Sequence, residues 1–172
     1  MSTIAIRPWS DEDLPLLLVG NAPAMTEHLG GPESDSDVEN RHLRYLDHWA
    51  TGTARMFAVT DGDFAVAAIG WWSTTWRGDD VYETGWFVVP EAQGRGVAQQ
   101  TLELVVRDAV ENGHRGLLTA FPSVDNGPFN ALCRKVGFAL DGTADFPFRG
   151  TTLTVNVWAI DLAELRRERR NP

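Results

Sequence analysis

Cysteine is nearly absent from this chain: Cys133 is the only one in 172 residues. A single thiol excludes an internal disulfide and fits a reducing cytosol. Positive charge is scarce too. Fifteen Lys and Arg against 24 Asp and Glu leave a formal net charge of −9. That balance argues against nucleic acid as the main partner, because phosphate backbones require a basic footprint. It fits a cationic or amine ligand. No apolar run is long enough to span a bilayer, and the opening MSTIAIRPW has no apolar signal core. No membrane partner is expected, and the expected location is cytoplasmic. The four histidines, His28, His42, His48 and His114, do not cluster with ligand spacing, so no metal is expected. Repeats, low-complexity tracts and long linkers are also missing, which reads as one domain over residues 1–172.

Two familiar phosphate motifs are absent. No Gly-Lys-Ser/Thr of a Walker loop occurs, and a Rossmann fingerprint fails where its third glycine position is Gln99. What is present is the run Trp86 to Ala98, WFVVPEAQGRGVA. An apolar segment ends at Pro90, a glycine-rich turn follows from Gln93 to Gly96, and an apolar-periodic helix opens at Val97. Strand, glycine turn and helix N-terminus in that order build a cradle for phosphate oxygens: glycine lets the backbone approach, and first-turn N–H groups have no intrahelical partner.

The rest of the chain reads as alternating elements. Thr3 to Arg7 alternates as a strand, and Ser10 is placed to cap a helix over Asp11 to Val19. Asn21 to Asp35 is a loop broken by glycine and proline. Ser36-Asp37-Val38-Glu39 is a capping box that opens a helix to about Thr51, with Leu43, Leu46 and Trp49 as its buried stripe. Strands at 55–60 and 64–72 flank an Asp-Gly-Asp turn, and a polar loop over 73–80 leads to a strand at 81–89. A helix at 97–112, a short buried strand at 117–121 and a helix at 125–136 closed by Gly137 come next. Strands at 138–141 and 151–160 surround a loop with Pro147 and Gly150, and the basic tail from Arg166 to Arg170 reads as a frayed end. The order is β-α-α-β-β-β-α-β-α-β-β, a mixed α/β sheet protein.

Gln93-x-x-Gly96-x-Ala98 after a strand, together with Asn126 ahead of a helix that ends in Gly137-Phe138, resembles the GCN5-related N-acetyltransferase (GNAT) superfamily, most closely its RimJ/RimL-type branch. The resemblance covers nearly the whole chain and implies a mixed, mostly antiparallel central sheet flanked by helices. It implies acetyl-CoA as co-substrate and direct transfer of the acetyl group to a primary amine of a small molecule or a protein N-terminus. Gln93, Gly94, Arg95, Gly96, Val97 and Ala98 would hold the pyrophosphate, and the Asn126 side chain would bind the pantetheine arm. The main chain at Phe87 and Val88 would bind the pantetheine amides and the thioester oxygen, with the two side chains left as packing residues. One fixed donor at such an oxyanion is worth about 3 kcal/mol.

Amine acetylation needs a base, because an ammonium has no lone pair to attack with. Glu83, in an otherwise apolar strand, is the candidate, and burial there would raise its pKa. By alternation it shares a face with Gly85 and Phe87. Many family members carry a tyrosine acid four residues before the Gly-Phe, where this chain has Cys133, a weak substitute, since a lone cysteine on a helix is more often a small buried hydrophobe. The position of a second family base, five residues before Asn126, is Phe121, so that route is closed. Trp71 and Trp72 point to opposite faces and are candidate acceptor-binding residues with Trp76 nearby. Asp79 and Asp80 read as solvated turn residues. A non-catalytic acyl-CoA-binding module is the alternative, supported by the missing tyrosine. The acceptor and the oligomeric state, a homodimer included, stay open.

Overall fold

The computed structural model describes residues 3–171. Its elements are β1 (Ile4–Pro8), α1 (Leu14–Gly20), α2 (Asp35–Thr51), β2 (Ala54–Asp61), β3 (Phe64–Trp76), β4 (Asp79–Val88), α3 (Val97–Asn112), β5 (Leu117–Ala120), α4 (Gly127–Val136), β6 (Ala139–Phe148), β7 (Thr151–Asp161) and α5 (Leu162–Arg170). The strands follow one another in the sheet as β1-β2-β3-β4-β5-β7-β6. β1/β2, β5/β7 and β6/β7 are antiparallel and β4/β5 is parallel, the mixed, mostly antiparallel sheet that was expected. The chain groups into two compact units within the described residues. One runs to Gly70 and includes Trp86–Thr101; the other comprises Trp71–Gly85 and the residues from Leu102 onward.

In the first unit, Ser10 and Asp13 tie the start of the first helical segment together. The Ser10 N–H and hydroxyl both donate to Asp13 Oδ2, at 2.8 and 3.0 Å. The segment begins as a 3-10 turn over Asp11–Asp13 before α1. The loop to α2 holds two short 3-10 turns, Pro23–Met25 and Glu27–Leu29. Two expectations for α2 need correction. Its cap is Ser34, whose hydroxyl accepts from the Asp37 N–H at 3.2 Å, rather than Ser36. Its most buried residues are Val38 and His42; of the expected stripe Leu46 and Trp49 are half-buried, as is Tyr45, while Leu43 is exposed. The cause is a polar demand of the core. The buried Trp9 indole N–H needs an acceptor, and His42 Nδ1 supplies it at 3.0 Å. A count of apolar residues alone cannot see that requirement.

In the second unit, the segment expected to be a polar loop over 73–80 is a β-hairpin. β3 continues to Trp76, and β4 restarts at Asp79 after a turn in which Arg77 and Gly78 have φ of +49° and +85°. Positive φ at both central residues is the turn that matches strand twist. The expected loop with Pro147 is likewise mostly strand: β6 pairs with β7 as far as Phe148↔Thr151, around a turn at Arg149 and Gly150. Pro147 is tolerated because β6 is an edge strand.

The tail is a helix rather than a frayed end. Arg166 donates to the carbonyls of Ala109, Val110 and Arg115 at 3.2, 3.0 and 2.9 Å. It thereby ties the last turn of α3 and the segment that follows it to α5 through one guanidinium. Asp161 caps α5 by accepting from the Glu164 N–H at 2.8 Å. No helix of the described residues is long and apolar enough to cross a membrane.

Candidate active site

The turn after β4 is fixed by its own chain. Val89 N–H donates to the Val66 carbonyl at 2.9 Å, and a 3-10 turn over Pro90–Ala92 follows. The Gln93 side chain then folds back, Nε2 donating to the Val88 carbonyl at 3.0 Å. Gly94 and Gly96 have φ of +74° and +76°, a conformation other residues adopt only with strain. The Gly96 carbonyl accepts from the Gln100 N–H at 3.2 Å and so starts α3. Gln93 to Gly96 are exposed, while Val97 is buried. An exposed, glycine-bent turn leading into first-turn amides is what an anion requires, and no side chain stands at Gly94 or Gly96 to fill it. Upstream, Val88 is buried. The Phe87 ring packs against Gly20 so closely that a Cβ there would lie 2.6 Å from it.

In the second unit, Glu83 is half-buried on β4. Its Oε2 accepts from the Trp72 indole N–H at 3.3 Å, and no other hydrogen bond to its side chain occurs among the described residues. Burial raises its pKa above the ordinary 4.5, and the indole hydrogen bond offsets part of that rise. β4 pairs with β5 at Tyr82↔Leu118 and Glu83↔Thr119.

Trp71 and Trp72 do face opposite ways, and their surroundings differ. Trp71 is buried, donates to Asp108 Oδ2 at 2.8 Å and packs edge-on against Tyr82 with centroids 4.6 Å apart. It is therefore a packing residue rather than an exposed acceptor wall. Trp72 is the one beside Glu83. Trp76 packs on Phe121 and Phe146, with centroids 5.0 and 5.6 Å away. Asp79 and Asp80 are exposed strand residues flanking the hairpin turn.

Asn126 is the N-cap of α4, its side-chain oxygen accepting from the Phe129 N–H at 3.3 Å. Its amide Nδ2 makes no hydrogen bond among the described residues. Cys133 is fully buried, and burial pushes its thiol up to about 12. A thiol so reluctant to ionise is a poor proton donor.

Asn130 is the residue that sequence reasoning passed over. Its Nδ2 donates to the carbonyls of Ser123 and Asn126 at 2.9 and 2.8 Å. Its Oδ1 accepts from Asn156 Nδ2 and Trp158 Nε1, both at 2.8 Å. All four positions of one amide are used, and the main chain of Asn126 is held by one of them. The sequence signal was a second asparagine one helical turn after the first. Among the described residues, no group of three His, Cys, Asp or Glu side chains is placed to hold a metal.

The family model described as "Acetyltransferase (GNAT) domain" matches residues 3–139. The chain belongs to the GNAT acetyltransferase family. No curated protein sequence matches it. Among solved structures, it is similar to the aminoglycoside acetyltransferase AAC(6')-Ib in complex with coenzyme A, with a TM-score of 0.80 at 16% identity over 97% of this chain and 99% of that one. RimL, a ribosomal alpha-N-protein acetyltransferase in complex with coenzyme A, gives 0.77 at 17% identity over 92% and 94%. Spermidine N-acetyltransferase from Vibrio cholerae, in complex with CoA and spermine, gives 0.76 at 18% identity over 93% and 96%. At such identities these likenesses show a shared GNAT fold.

Proposed function

We propose that the chain is a single-domain, cytoplasmic, acetyl-CoA-dependent N-acetyltransferase that transfers an acetyl group directly to a primary amine of a small molecule or a protein N-terminus. The family supports the reaction class, and three solved structures of the fold contain CoA. In this reading the main chain from Gln93 to Ala98 holds the donor's pyrophosphate, with Gly94 and Gly96 keeping the turn open and Arg95 adding charge. Asn126 offers its Nδ2 to the pantetheine arm, and the main chain at Phe87 and Val88 offers donors and acceptors to its amides. Acetyl-CoA supplies an activated acetyl group whose thioester is broken as the new amide forms.

Glu83 carries the chemistry. As a carboxylate it takes one proton from the acceptor ammonium, freeing the nitrogen lone pair. The nitrogen forms the new N–C bond as the C–S bond breaks. The departing sulfur leaves as thiolate and takes a proton, the acetylated nitrogen gives up its second proton, and Glu83 returns its own to solvent. Cys133 has no part in this proton traffic.

The observation that carries the reading is a half-buried carboxylate with a raised pKa and one oxygen free of hydrogen bonds, because a base must be poised near working pH. The net charge of −9 favours a cationic acceptor over nucleic acid or an anionic membrane surface. A non-catalytic acyl-CoA-binding module is favoured by the buried Cys133 at the usual tyrosine position. Thiol release from acetyl-CoA with a serine-initiated peptide, spermidine and kanamycin separates the two readings. The enzyme reading expects amine-dependent release that falls roughly 100-fold or more in Glu83→Gln. A near-normal rate in that variant removes Glu83 from the mechanism.

A further inference from the structure

The hairpin joining β3 and β4 has a consequence for Glu83. Counting back from the turn at Arg77 and Gly78 sets Thr75 opposite Asp80, Thr74 opposite Val81 and Trp72 opposite Glu83. Two contacts agree with that register. Thr75 Oγ1 donates to Asp80 Oδ1 at 3.5 Å, and Arg115 Nη1 donates to the carbonyls of both Thr74 and Val81 at 2.9 and 2.6 Å. Directly opposed side chains on one face of a sheet lie within reach of each other. The indole N–H of Trp72 accordingly meets Glu83 Oε2. A second, independent observation fixes the ring. A Cβ at Gly85 would fall 3.2 Å from Trp72 Cη2, so the far edge of the indole lies over the next inward position of β4, which is side-chain-free. A Cβ there would require the indole to give by a few tenths of an ångström.

We infer that Trp72 is a positioning residue for the proposed base. Its indole N–H holds Glu83 by Oε2 in a single orientation, Gly85 provides the room for that arrangement, and Oε1 is left as the oxygen that takes the proton. The inference rests on the reading of Glu83 as base. It recasts Trp72, whose ring would otherwise serve only as a wall for the acceptor. A flexible glutamate held by a neutral donor keeps its second oxygen available, whereas an arginine or lysine partner would stabilise the carboxylate too strongly for it to act as a base. Among the described residues, no charged side chain acts on Glu83. Thr119 faces it from β5, and burial and the Trp72 indole are the influences on its protonation. The Arg115 guanidinium is engaged by two carbonyls and lies over the Tyr82 ring.

The test uses the full chain in two arms. In the first, the Trp72 indole N–H resonance and the 13C resonance of the Glu83 carboxyl, assigned by loss in Glu83→Gln, are followed through a pH titration. Both should move with one midpoint in the wild type, and the indole should stop responding in Glu83→Gln. The Glu83 midpoint should rise in Trp72→Phe, because a hydrogen bond that favours the ionised form is gone. Gly85→Ala, which displaces the ring without removing it, should raise the midpoint in the same direction and covers the case in which Trp72→Phe does not fold.

In the second arm, turnover of the fastest of the serine-initiated peptide, spermidine and kanamycin is measured against pH. Trp72→Phe should lower kcat roughly tenfold and move the acid limb to higher pH, with KM for acetyl-CoA unchanged. An indole that ignores the Glu83 titration overturns the inference. So does a Trp72→Phe variant with the wild-type limb and only a raised acceptor KM, and either result leaves the base reading standing. A Glu83→Gln variant that retains rate and limb overturns the base reading instead, whatever Trp72 does.

Discussion

Asp13 is buried and accepts both arms of the Arg7 guanidinium, from Nη1 at 2.7 Å and from Nη2 at 2.8 Å. The Ser10 N–H and hydroxyl add two further hydrogen bonds to the same carboxylate. Burial is the largest single influence on Asp13 and opposes ionisation, but the Arg7 and Ser10 hydrogen bonds together outweigh it and hold the carboxyl below its ordinary 3.8. A folded-state pKa below the unfolded one means stability that is complete above 3.8 and is lost as pH falls through the lower, folded value. Asp13→Asn should therefore cost about 2–3 kcal/mol at neutral pH and should flatten the acid limb of the stability curve. Urea melts of both proteins between pH 3 and 7 measure this. Parallel curves with no neutral-pH difference would show that the pair holds nothing together.

Asn130 links α4 to β7, so its loss should do more than loosen one bond. Asn130→Ala leaves the Trp158 indole N–H and the Asn156 amide without their acceptor and takes one of two donors from each of the Ser123 and Asn126 carbonyls, at an expected cost of about 3 kcal/mol. Asn130→Asp is more telling. It keeps an acceptor for Asn156 and Trp158 but sets a carboxylate oxygen against the carbonyls of Ser123 and Asn126. If Asn126 binds the donor, Asn130→Asp should raise KM for acetyl-CoA with little change in kcat. Equal effects on both constants would assign Asn130 to general stability alone.

The fold was largely legible because its signals are local. Period-2 and period-3.6 patterns, Gly137 with φ of +108° at the end of α4, and Pro90 before the turn each act within a few residues. Failures came where a distant partner decided the outcome. The Arg166 contacts that order α5 reach back more than 50 positions along the chain, and the α2 stripe turned on the need of Trp9 for an acceptor. The hairpin at Arg77-Gly78 was hidden because Arg at positive φ is not a turn signal. The candidate site divides the same way. The glycine turn and Asn126 are motif residues, readable in isolation. The tie between Trp72 and Glu83 exists only once the hairpin register is known.

Cys133 makes a prediction at the alkaline end. Burial raises its thiol from 9.0 to about 12, so folding keeps a proton that the unfolded chain would release. Its contribution to stability is complete below pH 9.0 and is lost as pH rises towards about 12. Cys133→Ala removes that dependence, at the cost of a small cavity worth about 1 kcal/mol. Its activity should match the wild type at every pH, since a buried thiol that holds its proton up to about 12 does not release it to a leaving group. A lowered kcat with a displaced alkaline limb would restore Cys133 as an acid.

The glycine turn can be separated into shape and charge. Gly94 and Gly96 both need positive φ, so Gly96→Ala should carry a conformational cost of about 1–2 kcal/mol and weaken CoA binding modestly. Gly96→Glu adds a carboxylate beside first-turn amides that would otherwise face phosphate. Like charge in that position should abolish binding in calorimetry with CoA, while the thermal midpoint falls no further than in Gly96→Ala. Dephospho-CoA sharpens the comparison, because it keeps the pyrophosphate and lacks only the ribose phosphate. If the turn reads the pyrophosphate, both ligands lose affinity equally in Gly96→Glu. If CoA binds the Gly96→Glu variant as tightly as the wild type, the donor lies elsewhere, and the amides from Gln93 to Ala98 serve only to start α3.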